Sequence, residues 1–200
     1  MAITVQTIAD LAQKANASIR QHEQALNEAD SRLGDGDTGG MLARVIATMA
    51  AQDLSGAADP GAALSLLARA AASATGSSLG TLLATALLTM ARETRGQAEI
   101  DPATLADLVG KARDAMMARG GAKLGDKTVL DSMDAAARAL EGADNPAQAV
   151  ANAAQEALAA FRDKPNRIGR ARMFGDATIG IDDPGMLAFA KLARDLASPN

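Results

Sequence analysis

Three features of the 200-residue sequence predict one all-α domain of eight helices. Hydrophobic residues make up 48% of the chain, and much of that is alanine, the strongest helix former. Aromatics, which strands favour together with β-branched residues, are nearly absent: three Phe, no Tyr and no Trp. Helical periodicity recurs between Pro, Gly and Asp punctuation, with mostly short connections that favour antiparallel neighbours. Two hundred residues suit one domain with a real core, so residues 1–200 are read as a single unit.

The first helix is expected from about Thr4 to Asn27, with Ile8, Leu11, Ala15 and Ile19 on one stripe. The second runs from about Thr38 to Ala51, the third from Pro60 to Ser73 and the fourth from Ser78 to Arg95. Pro102 suits the first turn of a fifth helix that ends near Arg119, where Gly120-Gly121 stops it. Thr128–Glu141 and Pro146–Arg162 make the sixth and seventh, and Pro184–Ala197 the eighth. Between the last two lies Lys164–Asp183, with little helical period but with Ile168, Met173, Phe174, Ile179 and Ile181. Long irregular segments in compact domains are functional or disordered, and this one is too apolar for a floppy linker. It is expected to be an ordered lid or binding loop.

Several function classes drop out. The net charge of −4 and the lack of a basic, aromatic-dotted patch argue against nucleic acid. The absence of cysteine excludes disulfides and thiolate metal sites and fits a reducing, cytoplasmic setting. No basic region followed by an apolar run opens the chain, so no signal peptide is expected. Its longest apolar stretch, Leu79–Met90, is interrupted by Thr81, Thr85 and Thr89 and falls short of the ~18–20 residues of a membrane span. The lone histidine, His22, lies among Gln21, Glu23 and Gln24 and reads as an exposed surface residue. A His-based nucleophilic catalyst or phosphohistidine carrier is therefore not expected.

The most informative segment is Asp30-Ser31-Arg32-Leu33-Gly34-Asp35-Gly36-Asp37-Thr38-Gly39-Gly40. A cluster of carboxylates repels itself unless a cation or shared proton offsets the charge. The glycines permit tight turning and close approach of a ligand. A solvated Gly-Asp turn after a helix end is the bland alternative. Asp30 shifts the balance, because a reversal at Gly34-Gly36 can bring it beside Asp35 and Asp37. Hard Mg²⁺ takes such oxygen ligands and leaves positions for water and phosphate. A calcium EF-hand fails, since its twelfth loop position needs Glu and here holds Met41 or Ile46. Thr38-Gly39-Gly40 also opens a helix, whose first amides suit an anion.

Three further segments carry weaker signals. Thr75-Gly76-Ser77-Ser78-Leu79-Gly80-Thr81 opens the fourth helix, as an ordinary cap or a second phosphate contact. Gly120-Gly121-Ala122-Lys123-Leu124-Gly125-Asp126-Lys127-Thr128 falls short of a P-loop, because Asp126 intrudes and no strand precedes it. It reads as a helix stop and a Thr128 cap, with a nucleotide-contacting loop still open. Arg167, Arg170 and Arg172 crowd the long loop as a solvated basic stretch or as guanidiniums for phosphate.

Taken in order, these segments resemble the nucleotide-binding L subunit of dihydroxyacetone kinases, which also occurs as the C-terminal domain of single-chain forms. The matching pieces are Asp30…Gly34-Asp35-Gly36-Asp37, Gly76-Ser77-Ser78, Gly125-Asp126-Lys127-Thr128 with Leu130-Asp131, and Gly169-Arg170-Ala171 through Gly175 and Ile179-Gly180 to Asp183-Pro184-Gly185. The resemblance implies a closed barrel of eight antiparallel helices with a nucleotide site at one end. It implies that Asp30, Asp35 and Asp37 hold two Mg²⁺ ions bridging the phosphates of ADP or ATP. Thr38, Gly39, Gly40, Met41, Ser77 and Ser78 would contact phosphate. Gly121, Val129, Arg170, Asp183, Pro184 and Gly185 would surround base and sugar.

A partner K-type subunit would carry the triose through a histidine that this chain, with His22 alone, does not supply, so activity is expected only with that partner. The donor is either exchangeable ATP or a fixed ADP rephosphorylated by a phosphohistidine protein of the phosphotransferase system. A separate small subunit leans towards the second. Self-association into a homodimer stays open. Thr38 stands where the family often has His, Gly40 where Asn is common, and Leu79 where Gly often follows the serines. Asp-Gly-Asp-Thr-Gly is also similar to the related kinase domain of bacterial fatty acid kinases. Other readings are thus an ATP-dependent subunit for another small sugar, polyol or acyl group, or a nucleotide-sensing regulator of a transcription factor.

Overall fold

The computed structural model describes residues 2–198. Eight α-helices account for nearly all regular structure among them: α1 Val5–Asp30, α2 Thr38–Ala50, α3 Pro60–Ala74, α4 Ser78–Glu93, α5 Leu105–Gly120, α6 Val129–Leu140, α7 Pro146–Phe161 and α8 Pro184–Ala197. The boundaries follow capping chemistry. Thr4, Asp59, Ser77, Thr128, Asn145 and Asp183 each cap a helix by accepting an amide from the first turn. Proline stands at the start of α3, α7 and α8, where its missing N–H costs nothing. Gly121, at φ 72°, closes α5 in the left-handed conformation.

Four expectations shift. Helix α1 continues three residues past Asn27, so Asp30 belongs to its last turn. Pro102–Thr104 forms a separate 3₁₀ turn before α5, held by the Asp101 carboxylate on Ala103 N. Within the long loop, Ala171–Thr178 winds into 3₁₀ turns broken at Gly175 (φ 52°, ψ −129°). On α1 the buried stripe runs through Ile8, Ala12, Ile19 and Leu26, whereas Leu11 is 40% exposed. At 3.6 residues per turn Leu11 falls about 60° round from Ile8 on the side opposite Ala12, off the edge of the stripe.

Each helix packs on the next, and α8 packs on α1, so the ring closes. Side-chain contacts give the directions. The N-terminal half of α2 lies against the C-terminal end of α1, where Asn27 Oδ1 accepts Gly40 N (3.1 Å). Asp59, at the start of α3, accepts Gly96 N just past the end of α4 (2.9 Å). On α1, Lys14 reaches the Leu196 carbonyl while Ser18 and His22 reach Asp195, which runs α1 antiparallel to α8. Alternating directions around a closed ring put every second connection at the same end. The loops before α2, α4, α6 and α8 share one end. The other end is tied by a short antiparallel bridge between Ile3 and Ile100.

Small residues set the helix spacing. A methyl added at Gly61 would lie 2.6 Å from the Ala91 carbonyl and 2.7 Å from Arg95 Cα, so α3 and α4 touch backbone to backbone. The apolar layers are built from Ile, Leu, Val, Met and Ala, with Ile19, Leu26, Leu130 and Met186 among the fully enclosed side chains. Thr81, Thr85 and Thr89, which interrupt the apolar run of α4, each return their hydroxyl to the carbonyl four residues back. No helix of the described residues is long and apolar enough to cross a membrane.

His22 departs from its expectation. It is half-buried in the α1–α8 seam, with Nε2 2.7 Å from Asp195 Oδ2, and Ser18 Oγ donates to the same oxygen at 2.7 Å. Burial opposes ionisation of Asp195, yet the bonds from Ser18, Arg194 and His22 hold its carboxyl down at about 2.

Two measurements follow from this packing. Gly61→Ala should lower unfolding free energy by about 1–3 kcal/mol in urea titration through overpacking. Gly56→Ala, where nothing lies within 4 Å of the new methyl, should stay within about 0.5 kcal/mol of the parent. For Asp195, the folded-state value lies below the ordinary 3.8. Its stabilising contribution is therefore complete above that value and is lost as pH falls towards 2. Thermal unfolding followed across that window should show a flatter acid limb for Asp195→Asn than for the parent.

Candidate functional site

The turn between α1 and α2 is wound around one carboxylate. Asp30 ends α1 and is 8% exposed. Its Oδ2 accepts the amides of Asp37 (2.9 Å) and Thr38 (3.1 Å), and its carbonyl accepts those of Leu33 (2.8 Å) and Gly34 (2.6 Å). A Cβ at Gly34 would fall 2.6 Å from Asp30 Oδ1, and Gly36 takes φ 75°, so both glycines are needed for the reversal. The outcome is a triad: one carboxylate oxygen each from Asp30, Asp35 and Asp37, all within 4.8 Å of one another. Asp35 and Asp37 face solvent. An all-oxygen set with one fixed and two open carboxylates suits a hard divalent cation that keeps positions for water or phosphate.

Arg170 joins this cluster from the long loop. Its guanidinium pairs with Asp35 and holds the Asp35 carboxyl below the usual carboxylate range. The preceding residue, Gly169, lines a cleft of about 500 Å³ that also takes Ser77, Ser78 and Thr81 from the α4 start, Arg119 from α5 and Val129 from α6. Adjacent Cα atoms are ~3.8 Å apart, so Gly169-Arg170 couples the carboxylate triad to the cleft. Leu82, Val129 and Ile168 supply apolar walls, and Ser77, Ser78 and Thr81 a hydroxyl-bearing side.

At the α2 start, the amides of Thr38 and Gly40 are engaged by Asp30 and Asn27, and that of Met41 by the Asp37 carbonyl. Gly39 is buried so tightly that a Cβ would collide with the Glu23 carbonyl. The carboxylates, rather than this helix start, are thus the open groups at the corner. Ser77 caps α4 through Gly80 N (3.1 Å) and still borders the cleft with Ser78. Gly121 sits at the α5 stop between the cleft-lining Gly120 and Ala122. A methyl at Gly185 would lie 3.5 Å from Val129 Cβ and 3.8 Å from Leu79 Cδ1, so Asp183-Pro184-Gly185 backs onto the cleft wall.

The turn before α6 is held by Asp131, which accepts Thr128 N (2.8 Å) and Gly125 N (2.5 Å). Asp183 caps α8 through Met186 N (3.0 Å) and accepts Asn166 Nδ2 (2.9 Å). Burial pushes its carboxyl up to about 6, against the Met186 and Gly185 amides, Asn166 and the nearby Lys127 charge.

Residues that carry no sequence motif also build this end. Asn27 fixes the start of α2, Asn166 ties the long loop to α8, and Arg119 and Ile168 line the cleft. An Asn one turn before a helix end is a recognisable capping candidate, and Ile168 belongs to the apolar set that marked the long loop as ordered; Asn166 and Arg119 give no local signal. Lys127 does not behave as a P-loop lysine: it is fully buried and turned towards backbone carbonyls.

Comparison with known proteins agrees with this architecture. The DAK2 domain family model matches residues 32–198. An L-erythrulose 1-kinase of Mycolicibacterium smegmatis is 33% identical over 183 residues, covering 88% of this chain and 32% of that protein. The chain thus spans about a third of the length of the erythrulose kinases it matches. The ADP-binding subunit DhaL of a PTS-dependent dihydroxyacetone kinase from Lactococcus lactis is 27% identical and is covered over 97% of both chains. The dihydroxyacetone kinase of C. freundii, with a TM-score of 0.75 over 96% of this chain and 34% of its own, shares 23% identity and the all-α fold. With its family model matched over most of its length and its helical ring shared with a dihydroxyacetone kinase, the chain belongs to the DAK2 domain family.

Proposed function

We propose that this chain is the nucleotide-carrying subunit of a dihydroxyacetone-type kinase, holding Mg-ADP or Mg-ATP and passing the phosphoryl group to a ketose bound on a K-type partner subunit. The observation that carries this reading is the Asp30–Asp35–Asp37 triad, joined through Gly169-Arg170 to the cleft beside it. The Asp30, Asp35 and Asp37 carboxylates would hold two Mg²⁺ ions, which would supply neutralisation of phosphate charge.

The residues of the chain do the rest by positioning. Asp30 is kept from swinging by two amides and fixes the depth of the cluster. Arg170 offers an exposed positive charge at the rim. Ser77, Ser78 and Thr81 present hydroxyls on the cleft side of α4, while Leu82, Val129 and Ile168 form walls for a flat base. Phosphoryl transfer asks for alignment and charge compensation more than covalent chemistry by the protein.

A histidine that carries the ketose must come from the partner, since His22 is committed to Asp195 in the α1–α8 seam. Met173 (75% exposed) and Phe174 (44%) give the long loop an apolar outer surface of the kind partners bury. The full-length match to a PTS-dependent ADP-binding subunit supports fixed ADP rephosphorylated by a phosphohistidine protein. A second reading, phosphorylation of the four-carbon ketose erythrulose, is favoured by the higher identity to erythrulose kinases.

Mass spectrometry of nucleotide released from the denatured protein should recover about one ADP per chain after dialysis; recovery of none, with reversible uptake of Mg-ATP, would move the donor to ATP. Absence of any Mg-nucleotide binding would overturn the proposal. Asp37→Ala should abolish Mg-ADP binding in calorimetry with helical content unchanged. Its apo melting temperature should not fall, because removing one charge relieves carboxylate repulsion.

A further inference from the structure

Lys127 is the largest side chain with no solvent exposure, and the only non-glycine residue at positive φ (62°) among the described residues. Its Nζ donates to three backbone carbonyls: Lys164 (2.7 Å), Thr178 (2.9 Å) and Arg162 (3.1 Å). An ammonium has three donors and no acceptor, so every proton is used. The three carbonyls are far apart in sequence. One stands just past α7, one opens the long loop and one closes its 3₁₀ segment. Among the described residues no carboxylate lies within ion-pairing distance of this ammonium. Burying an unpaired cation is costly unless its hydrogen bonds are satisfied. Burial does push Lys127 below its ordinary range, against the charges of Asp183, Asp182 and Asp163. A methionine would fill the space without that cost, so what the ammonium adds is the bracing of the loop.

The braced loop is the one that carries Ile168 and Gly169 into the cleft and Arg170 onto Asp35. Around the ammonium, Asn166 Nδ2 donates to the Lys127 carbonyl (3.0 Å), Asn166 N to Thr178 Oγ1 (2.9 Å) and Arg167 N to the Asp126 carbonyl (3.0 Å). These bonds converge on the turn whose next residue, Thr128, caps α6 at the cleft.

We infer that Lys127 is a positioning residue for the nucleotide cleft: through the Arg162, Lys164 and Thr178 carbonyls it holds the loop that closes the cleft and presents Arg170 to the carboxylate triad. The inference rests on the nucleotide reading above for its effect on binding, but the bracing of the loop can be tested without it. Lys127→Met removes all three bonds while keeping an unbranched chain. Bonds to charged donors are among the stronger ones, so release of Mg-ADP should speed up by at least about tenfold. Limited trypsin should then cut after Arg167, Arg170 or Arg172 while the helices stay folded.

Leu108→Ala, in the apolar cluster around Ile8 and Leu64, provides a control of global destabilisation without loop damage. Equal loop cleavage in both variants, or unchanged cleavage and release in Lys127→Met, would overturn the inference. Because the chain has no cysteine, Lys127→Cys can be aminoethylated while unfolded and refolded, which restores an ammonium; slow cleavage should return with it. If neither variant folds, the wild type decides the matter. Reductive methylation of Lys127 and tryptic cleavage of the loop should proceed at one shared opening rate. Cleavage much faster than methylation would sink the idea. Should the wild type bind no nucleotide, the functional reading falls, while the cleavage comparison still decides the role of Lys127.

Discussion

A closed ring of helices that alternate in direction must place its connections in two sets, and everything at the candidate site depends on that geometry. The loops before α2, α4, α6 and α8 share one end, and they bring the carboxylate turn, the serine cap, the Asp131-held turn and the Lys127-braced loop to a common mouth. None of these segments is near its neighbours in sequence. An odd number of crossings between any two of them would have sent one to the far end. Among the described residues the opposite set of loops gathers no carboxylate triad, and it is tied by the Ile3–Ile100 bridge.

The ring can be this tight because its seams are lined with small residues. Gly61 lets α3 reach the α4 backbone, Gly39 lets α2 reach the carbonyl of Glu23, and Gly80 sits against Thr75. Interiors are close-packed, so a single methyl must displace backbone at Gly61 and Gly39 and the Thr75 side chain at Gly80. Alanine-rich helices therefore serve two ends: high helix propensity and close approach. The second end is what brings Asn27 within reach of Gly40 and so positions the carboxylate turn.

Electrostatics at the mouth follow one pattern, in which backbone groups hold the charges that must stay still. Asp30 is fixed by amides, Asp131 by amides of its own turn, and Lys127 by carbonyls. Asp35, Asp37 and Arg170, by contrast, are exposed and able to adjust to a ligand. Backbone-held inner charges with exposed outer ones suit a site that takes a cation and an anion without a large fold change.

The all-α class, the eight helices and most of their ends were legible because capping, proline placement and alanine content act locally. Asp30, Asp35 and Asp37 were legible for the same reason, since seven residues and two glycines suffice to close the turn. His22 and Leu11 were misjudged because their burial depends on which face meets α8 or the core, which no local rule states. Asn166 and Arg119 left no signal, and Lys127 and Ile168 stood in segments that drew notice without showing which of them would be buried or line the cleft: each matters through residues distant in sequence. The sequence by itself determined where the chain coils and where it can gather carboxylates, because those follow from short-range sterics and hydrogen bonding. Only the tertiary structure decided which loops meet and which charge is buried, because those depend on the order in which helices close the ring.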